Sequence, residues 1–345
     1  MSLYQRVSMN LFKRLTLACL IAVFWLAQGR AEVFTLTLPK PSDRKVLIVS
    51  IDGLRPDVAL RAEMPTLRAL MKDGVFTFWA QSTAVSVTLP SHVSMLTGVT
   101  PARHEIAWNK DLPFSKPVYP KYPTVFEYAK AAGYTTALSA GKSKFAHLLK
   151  PKTVDWFYLP EKINTKVKDA QVAVEAIKLI EQHRPDVMFV HFPDGDTLGH
   201  SKGWGSAEQL QAMQQTDAAL SRVLAAWRQA GLADQGLLLL TADHGGQGKG
   251  HGADDLRSRT IPWIAVGPGL KKDYDLANAA AEDWVHIEDT CATALDWLKL
   301  KVPRAMDGHS QLPWLVGKKL KQVWVETDAD TADALMPTSP EYEIR

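Results

Sequence analysis

Three acids stand just beyond apolar runs in this sequence, and two of them have a histidine close behind. Asp52 follows Lys45–Ile51 (KVLIVSI). The run ending at Phe192 leads into Pro193-Asp194-Gly195-Asp196, and LLLLT is followed closely by Asp243-His244. A single acid in such a place is commonly a helix cap or a turn residue; three, two with imidazole nearby, point to a metal site. Asp196 and His200 are four residues apart, close enough to share one ion. Asp243 and His244 are adjacent, where successive side chains diverge. His251 lies in the glycine-rich stretch GGQGKGHG, whose backbone can fold back toward the same place. Nitrogen and oxygen donors without thiolate suit zinc, and manganese or iron less well.

The elements that must position these groups alternate between strand-like and helix-like patterns, the mark of a mostly parallel sheet covered by helices. Strands are predicted at Lys45–Ile51, Thr135–Ala140, Val187–Phe192, Gly236–Thr241 and Pro262–Val266. Ligands in open α/β sheets collect beyond the carboxyl ends of the strands, so the three acids are expected on one rim. A helix is predicted over Met64–Lys72. Ser206 and Gln209 form a capping box for a helix that ends at Gly231. Asp283 is a candidate cap for a last helix over Trp284–Leu298. Asp217 lies on an apolar helix side and reads as a buried hydrogen-bonding group. His92, His104 and His191 read as structural.

The chain has 345 residues, 46% of them hydrophobic, enough for one large α/β domain or two small ones. A net charge of +3 gives no basic field for nucleic acid. Lys13 and Arg14, an apolar run over residues 15–27 and small residues at Gly29 and Ala31 have the order of a secretory signal. Residues 1–31 are therefore expected to be removed, leaving no stable membrane anchor and a periplasmic or secreted protein. Cys19 would leave with that segment, so Cys291 has no intrachain partner and reads as a small buried hydrophobe. The expected catalytic domain is 32–326, followed by a polar tail at 327–345.

Six segments carry a resemblance: VSIDGLRPD, MPTLRALMKDGVF, TLPSHVSMLTGVTPARHEIAWN, DTLGH, TADHGGQGKGHG and TIPWIAVGPGL. Together they resemble the type I phosphodiesterase/nucleotide pyrophosphatase branch of the alkaline phosphatase superfamily, from Lys45 to about Leu315. The resemblance implies a three-layer α/β/α sandwich around a mostly parallel sheet, and an enzyme that hydrolyses phosphoric esters with two Zn2+. It places the nucleophile at Thr88, which would become a covalent phosphothreonine. It gives one metal to Asp52, Thr88, Asp243 and His244, the other to Asp196, His200 and His251, and makes Asn109 a donor to a phosphoryl oxygen.

The sequence departs from that pattern in two places. Only six residues separate His244 from His251, so the long insertion of nucleotide pyrophosphatases is missing, and His309 (Asp-Gly-His-Ser) is a rival for the last ligand. Lys142 and Lys144, in Gly-Lys-Ser-Lys, are similar to a lysine pair in phosphonoacetate hydrolases and to basic pairs in threonine-dependent alkaline phosphatases. They either bind substrate phosphate oxygens or belong to a solvated loop. A phosphonate hydrolase, a lipid-headgroup phosphotransferase and a non-catalytic envelope protein keeping the fold stand as alternatives. A sulfatase would need Cys or Ser followed by Pro and Arg, which Thr88-Leu-Pro-Ser-His lacks.

Overall fold

The computed structural model describes residues 40–316, apart from 112–115, 163 and 280–283. The leader, Cys19, the Asp283 cap and the tail from 327 lie outside the described residues. Among those described, eight strands form one sheet: β1 (Lys45–Ile51), β2 (Val75–Gln81), β3 (Thr136–Ala140), β4 (Trp156–Tyr158), β5 (Val187–Phe192), β6 (Gly236–Thr241), β7 (Thr260–Val266) and β8 (Tyr274–Asp275). Their order is β4-β3-β5-β1-β6-β7-β2-β8. The five strands from β4 to β6 run parallel, β7 is antiparallel to both β6 and β2, and β8 is parallel to β2.

Strands β5 and β6 are buried at every residue, and β1 at all but Lys45. Their unbroken apolar sequences are what a strand covered on both faces requires. Strand β2 was not legible. Its register shifts between Thr77 and Ala80, which breaks the period-two alternation that marks a half-buried strand.

Helices cover both faces, making a three-layer α/β/α sandwich. One layer holds α1 (Pro65–Asp73), α4 (Asp169–His183), α5 (Asp194–Lys202) and α6 (Ala207–Gln229), all three others packing on α6. The other holds α2 (Thr88–Thr97), α3 (Val125–Ala131) and α7 (Asp289–Trp297), with α7 packing on both partners. Asp217 of α6 is buried and accepts the Thr66 and Leu67 backbone N–H groups, each at 2.9 Å, so one helix caps the start of another.

Two expectations change. The capping box at α6 is half formed. Ser206 accepts from Gln209 N at 3.2 Å, but the Gln209 amide donates to Gly195 O at 3.0 Å and so braces the first turn of α5. The last helix starts at Asp289 rather than Trp284, because Val285 O and Ile287 N, each at 2.8 Å, bond the backbone of Gln81 at the end of β2. Tertiary pairing there overrides the local helical pattern. Cys291 is fully buried in α7. No helix among the described residues is long and apolar enough to cross a membrane.

Candidate metal centre

Four parallel strands deliver their C-terminal residues to one rim. Asp52 follows β1, Lys142 follows β3, Asp194 and Asp196 open α5 after β5, and Asp243-His244 follow β6. Acids in the first turn of a helix sit well in its positive field, which favours ionised Asp196. Gly53 holds a left-handed φ of 74°, and a Cβ there would lie 3.0 Å from the Asp196 Cα. Only glycine lets the chain after β1 turn this close to α5.

Asp52, Asp196 and Asp243 each have one oxygen anchored and one left without a hydrogen bond. Asp52 Oδ2 accepts from His191 Nε2 at 2.8 Å and lies 2.6 Å from Lys142 Nζ. Asp196 Oδ2 accepts from Lys142 Nζ at 2.7 Å, and Asp243 Oδ1 from Gly53 N at 3.1 Å. Their other oxygens, Asp52 Oδ1, Asp196 Oδ1 and Asp243 Oδ2, are buried and have no hydrogen-bond partner. Buried acceptors are rarely left so, since each unpaired one costs on the order of 1–3 kcal/mol.

The histidines repeat this arrangement. Each directs Nδ1 at a backbone carbonyl: His200 at Lys249 O (2.9 Å), His244 at Gly245 O (2.8 Å) and His251 at Ser86 O (3.0 Å). An Nδ1–H donated in this way fixes the tautomer and leaves the Nε2 lone pair to bind an ion. His200 Nε2 stands 3.1 Å from both Asp196 Oδ1 and His251 Nε2. His244 Nε2 lies 3.5 Å from Asp52 Oδ1, 3.1 Å from Asp243 Oδ2 and 3.4 Å from Thr88 Oγ1. The ligand atoms of Asp196, His200 and His251 lie within 4.8 Å of one another, as do those of Asp52, Asp196 and His244. Orphaned carboxylate oxygens facing imidazole nitrogens are a donor set for divalent metal, and the residues fit that role.

The electrostatics follow from burial and crowding. Burial opposes ionisation of Asp52, yet the Lys142 ammonium and His191 hold its carboxyl well below the usual range. Burial, then repulsion from Asp52, drives Asp243 well above it. Burial and then His251 push His244 down to about 3, so its imidazole is neutral. Burial alone would lower Lys142, but Asp52, Asp196 and Asp243 together raise it. Deep burial and a specific charged partner at several neighbouring groups are common at working sites.

The other predicted residues group around Thr88, which opens α2 and is 1% exposed. Asn109 Oδ1 accepts from Leu89 N at 3.1 Å and from Lys144 Nζ at 3.0 Å, and its NH2 takes part in neither bond. Neither lysine lies in a solvated loop: Lys144 is bonded to Asn109, and Lys142 is buried against the acids and 3.3 Å from Thr88 Oγ1. His309 is exposed, and its backbone N–H bonds Asp289 Oδ1, in company with neither Asp196 nor His200.

Comparison with known proteins identifies the family. The family described as type I phosphodiesterase / nucleotide pyrophosphatase matches residues 46–255. The chain belongs to that family. Its curated relatives include the human GPI ethanolamine phosphate transferase 2 catalytic subunit, 26% identical over 302 residues (83% of this chain, 29% of the relative). An uncharacterized pyrophosphatase/phosphodiesterase of Schizosaccharomyces pombe is 24% identical over 217 residues, 58% of this chain and 44% of the relative. The chain thus spans less than half the length of these relatives. Murine ectonucleotide pyrophosphatase/phosphodiesterase 5 with AMP superposes at TM-score 0.63 and 16% identity, over 79% of this chain and 98% of that one. A 2-O GAG sulfatase superposes at 0.68 and 16%, over 81% and 76%. At such identities the two structures speak for the fold.

Three further groups support this rim: His92 and His191, which read as structural in the sequence and hold rim groups in place, and Trp204, which the sequence did not single out. His191 steadies Asp52, and the β-register that sets Ser50 of β1 beside His191 of β5 puts it there. His92 accepts or donates at Ser50 Oγ (2.8 Å) and reaches Thr88 O at 2.7 Å, under the start of α2. Trp204 meets the rings of His200 and His251 edge-on at 5.3 and 5.8 Å and donates to Gly53 O at 2.9 Å. The signal for His191 was present, a polar residue inside a fully buried strand, because such a group must find a partner.

Proposed function

We propose that this chain is an exported, metal-dependent hydrolase of phosphoric esters that works through a phosphothreonine at Thr88. The observation that carries the reading is Thr88 Oγ1, 3.4 Å from His244 Nε2 and 3.3 Å from Lys142 Nζ, on a rim where three buried carboxylate oxygens have no hydrogen-bond partner. Asp52, Thr88, Asp243 and His244 would hold one Zn2+, and Asp196, His200 and His251 the other. When bound, such ions lower the pKa of a coordinated hydroxyl and neutralise charge on the reacting oxygens.

The chain's own groups do the rest. The Thr88 hydroxyl gives up its proton to water and its oxygen attacks phosphorus; the P–O bond to the leaving alcohol breaks, and that oxygen departs with the bonding pair and takes a proton back from water. Water then cleaves the phosphothreonine and releases phosphate, restoring the hydroxyl. The Asn109 NH2 donates to an equatorial phosphoryl oxygen, where charge gathers in the transition state. Lys144 holds the other end of that amide, and Lys142 adds positive charge beside the nucleophile. His92, bonded to Thr88 O, keeps the first turn of α2 in place. The leader-like residues 1–31 support export to the periplasm or medium.

Acid quenching during turnover of an aryl phosphate tests this reading. Phosphate is expected on the peptide that contains Thr88, and Thr88→Ala should lose at least about a thousandfold in kcat with KM little changed. Thr88→Ser should keep substantial activity. Phosphate on another peptide would overturn the assignment. The similarity to the ethanolamine phosphate transferase covers most of this chain and favours one second reading, in which an alcohol rather than water accepts the phosphoryl group. Product analysis with added ethanolamine or glycerol separates the two, since a transferase gives a new ester in place of free phosphate.

A further inference from the structure

Lys142 has a position that neither donor set explains. Its side chain is 8% exposed, and its ammonium has three oxygen neighbours: Asp52 Oδ2 at 2.6 Å, Asp196 Oδ2 at 2.7 Å and Thr88 Oγ1 at 3.3 Å. An ammonium has three N–H bonds, so its donors are fully taken. Asp52 belongs to one proposed ligand set and Asp196 to the other. Lys142 therefore ties the two sets and the nucleophile together while leaving Asp52 Oδ1 and Asp196 Oδ1 without a partner.

The backbone delivers this lysine rigidly. It follows β3 at the end of a parallel strand, pairs with Lys166 in an isolated antiparallel bridge and is succeeded by the turn at Ser143–Leu148. The rim packs Asp52, Asp196 and Asp243 close together, with Lys142 as the cation bonded among them. Lys144, two residues on, is bonded to Asn109.

We infer that Lys142 is the resident counter-cation of this acid cluster, which lets the rim fold before metal arrives and weakens metal binding in exchange. This rests on the metal-centre reading above. Two effects of Lys142 on metal affinity compete. It orients two carboxylates, which favours binding, and it places a positive charge 2.6 and 2.7 Å from a carboxylate oxygen of each ligand set, which opposes it. In a partly dry site a unit charge at such a distance outweighs a tenfold change in an equilibrium constant. The orienting share is smaller, because His191 still holds Asp52 and the first turn of α5 still holds Asp196. The charge effect should win.

The test compares full-length wild type, Lys142→Met and Lys142→Arg, each stripped with chelator and then titrated with Zn2+, reading zinc content, calorimetric affinity and unfolding midpoint. Removing the ammonium should lower the midpoint of the stripped protein. It should also raise zinc affinity by about tenfold or more, so that zinc stabilises Lys142→Met more than wild type. Lys142→Arg, which keeps the charge, should follow wild type. If Lys142→Met can be prepared only with zinc present, the inference stands. A stripped variant as stable as wild type, or zinc affinity unchanged or weaker, would overturn it. Wild type that takes up no zinc, nor Mn2+ or Fe2+ in the same titration, would instead remove the metal centre, and this inference with it.

Discussion

The two ends of the central sheet treat buried carboxylates in opposite ways. At the amino end, Asp186 precedes β5 and each of its oxygens is occupied. Lys40 Nζ (2.9 Å) and Lys45 Nζ bond Oδ1, while Thr135 N (2.8 Å) and Thr135 Oγ1 (3.0 Å) bond Oδ2. At the carboxyl end Asp52, Asp196 and Asp243 each keep one buried oxygen unpaired. The same residue type, in the same sheet, is saturated at one end and poised at the other. Saturation serves the fold, since it joins β1, β3 and β5 where the strands begin. Deficit serves chemistry, since an orphaned oxygen is stabilised only when a cation comes to it.

Substitutions that exchange the two behaviours probe this contrast. The largest effect is expected at the poised end. His251→Ala should lower zinc content by about one equivalent and activity by about a thousandfold, equivalent to ~4 kcal/mol. The folded protein should lose little stability, because His251 bonds only a carbonyl and its ligand neighbours. His309→Ala should change neither quantity; metal and rate lost there and kept in His251→Ala would exchange the two histidines. At the saturated end the order reverses. Asp186→Ala leaves two ammonium groups and two threonine donors without their acceptor and should cost about 2–3 kcal/mol. That is below the range for broken buried pairs, because Lys40 and Lys45 can turn to water. Denaturant unfolding would read this loss, with kcat unchanged wherever the protein remains folded. A fall in kcat without a fall in stability would break the comparison.

Much of both ends was legible in sequence, for a reason that differs between them. The rim was readable because its residues follow strands whose apolar runs are unambiguous, and strands in one parallel sheet must end together. Asp52, Asp196, His200, Asp243 and His244 needed only that rule to be brought into one neighbourhood. What stayed hidden depends on register and on side chains that cross between elements. Nothing local in Gly-Lys-Ser-Lys says that Lys142 turns inward to two acids while Lys144 turns to Asn109. Nothing near Phe-Val-His-Phe says that His191 meets Asp52, because that contact is set by the β1–β5 pairing. Strand β2 was lost for the related reason that its bulge disrupts alternation, and the first residues of the expected last helix were taken by pairing with Gln81.

A smaller effect is expected just behind the rim, where one acid pair belongs to neither class. Asp169 and Asp194 open α4 and α5, and each carboxylate accepts the other's backbone N–H, at 2.9 and 3.2 Å. Burial, then repulsion from Asp194, raises Asp169 to about 8, and its second oxygen meets the Thr216 hydroxyl. Because Thr216 Oγ1 also bonds Ala212 O at 3.0 Å, a protonated Asp169 can donate to Thr216 while still accepting from Asp194 N. Asparagine reproduces that pattern, its NH2 in place of the acid proton. The folded pKa lies above the unfolded one, so stability from this proton is complete below the ordinary carboxylate range, near pH 4. It is lost as pH rises from there through about 8, where the folded state also ionises. Asp169→Asn removes that loss. Its advantage over wild type should grow between pH 5 and 8, reach about 1–2 kcal/mol after discounting for the coupled partner, and then level off. Unfolding curves at pH 5, 6.5, 8 and 9 would show it. An advantage that is the same at every pH would mean Asp169 is ionised in the folded protein, and the pair would then be a third set of acids held in deficit rather than one satisfied by its own proton.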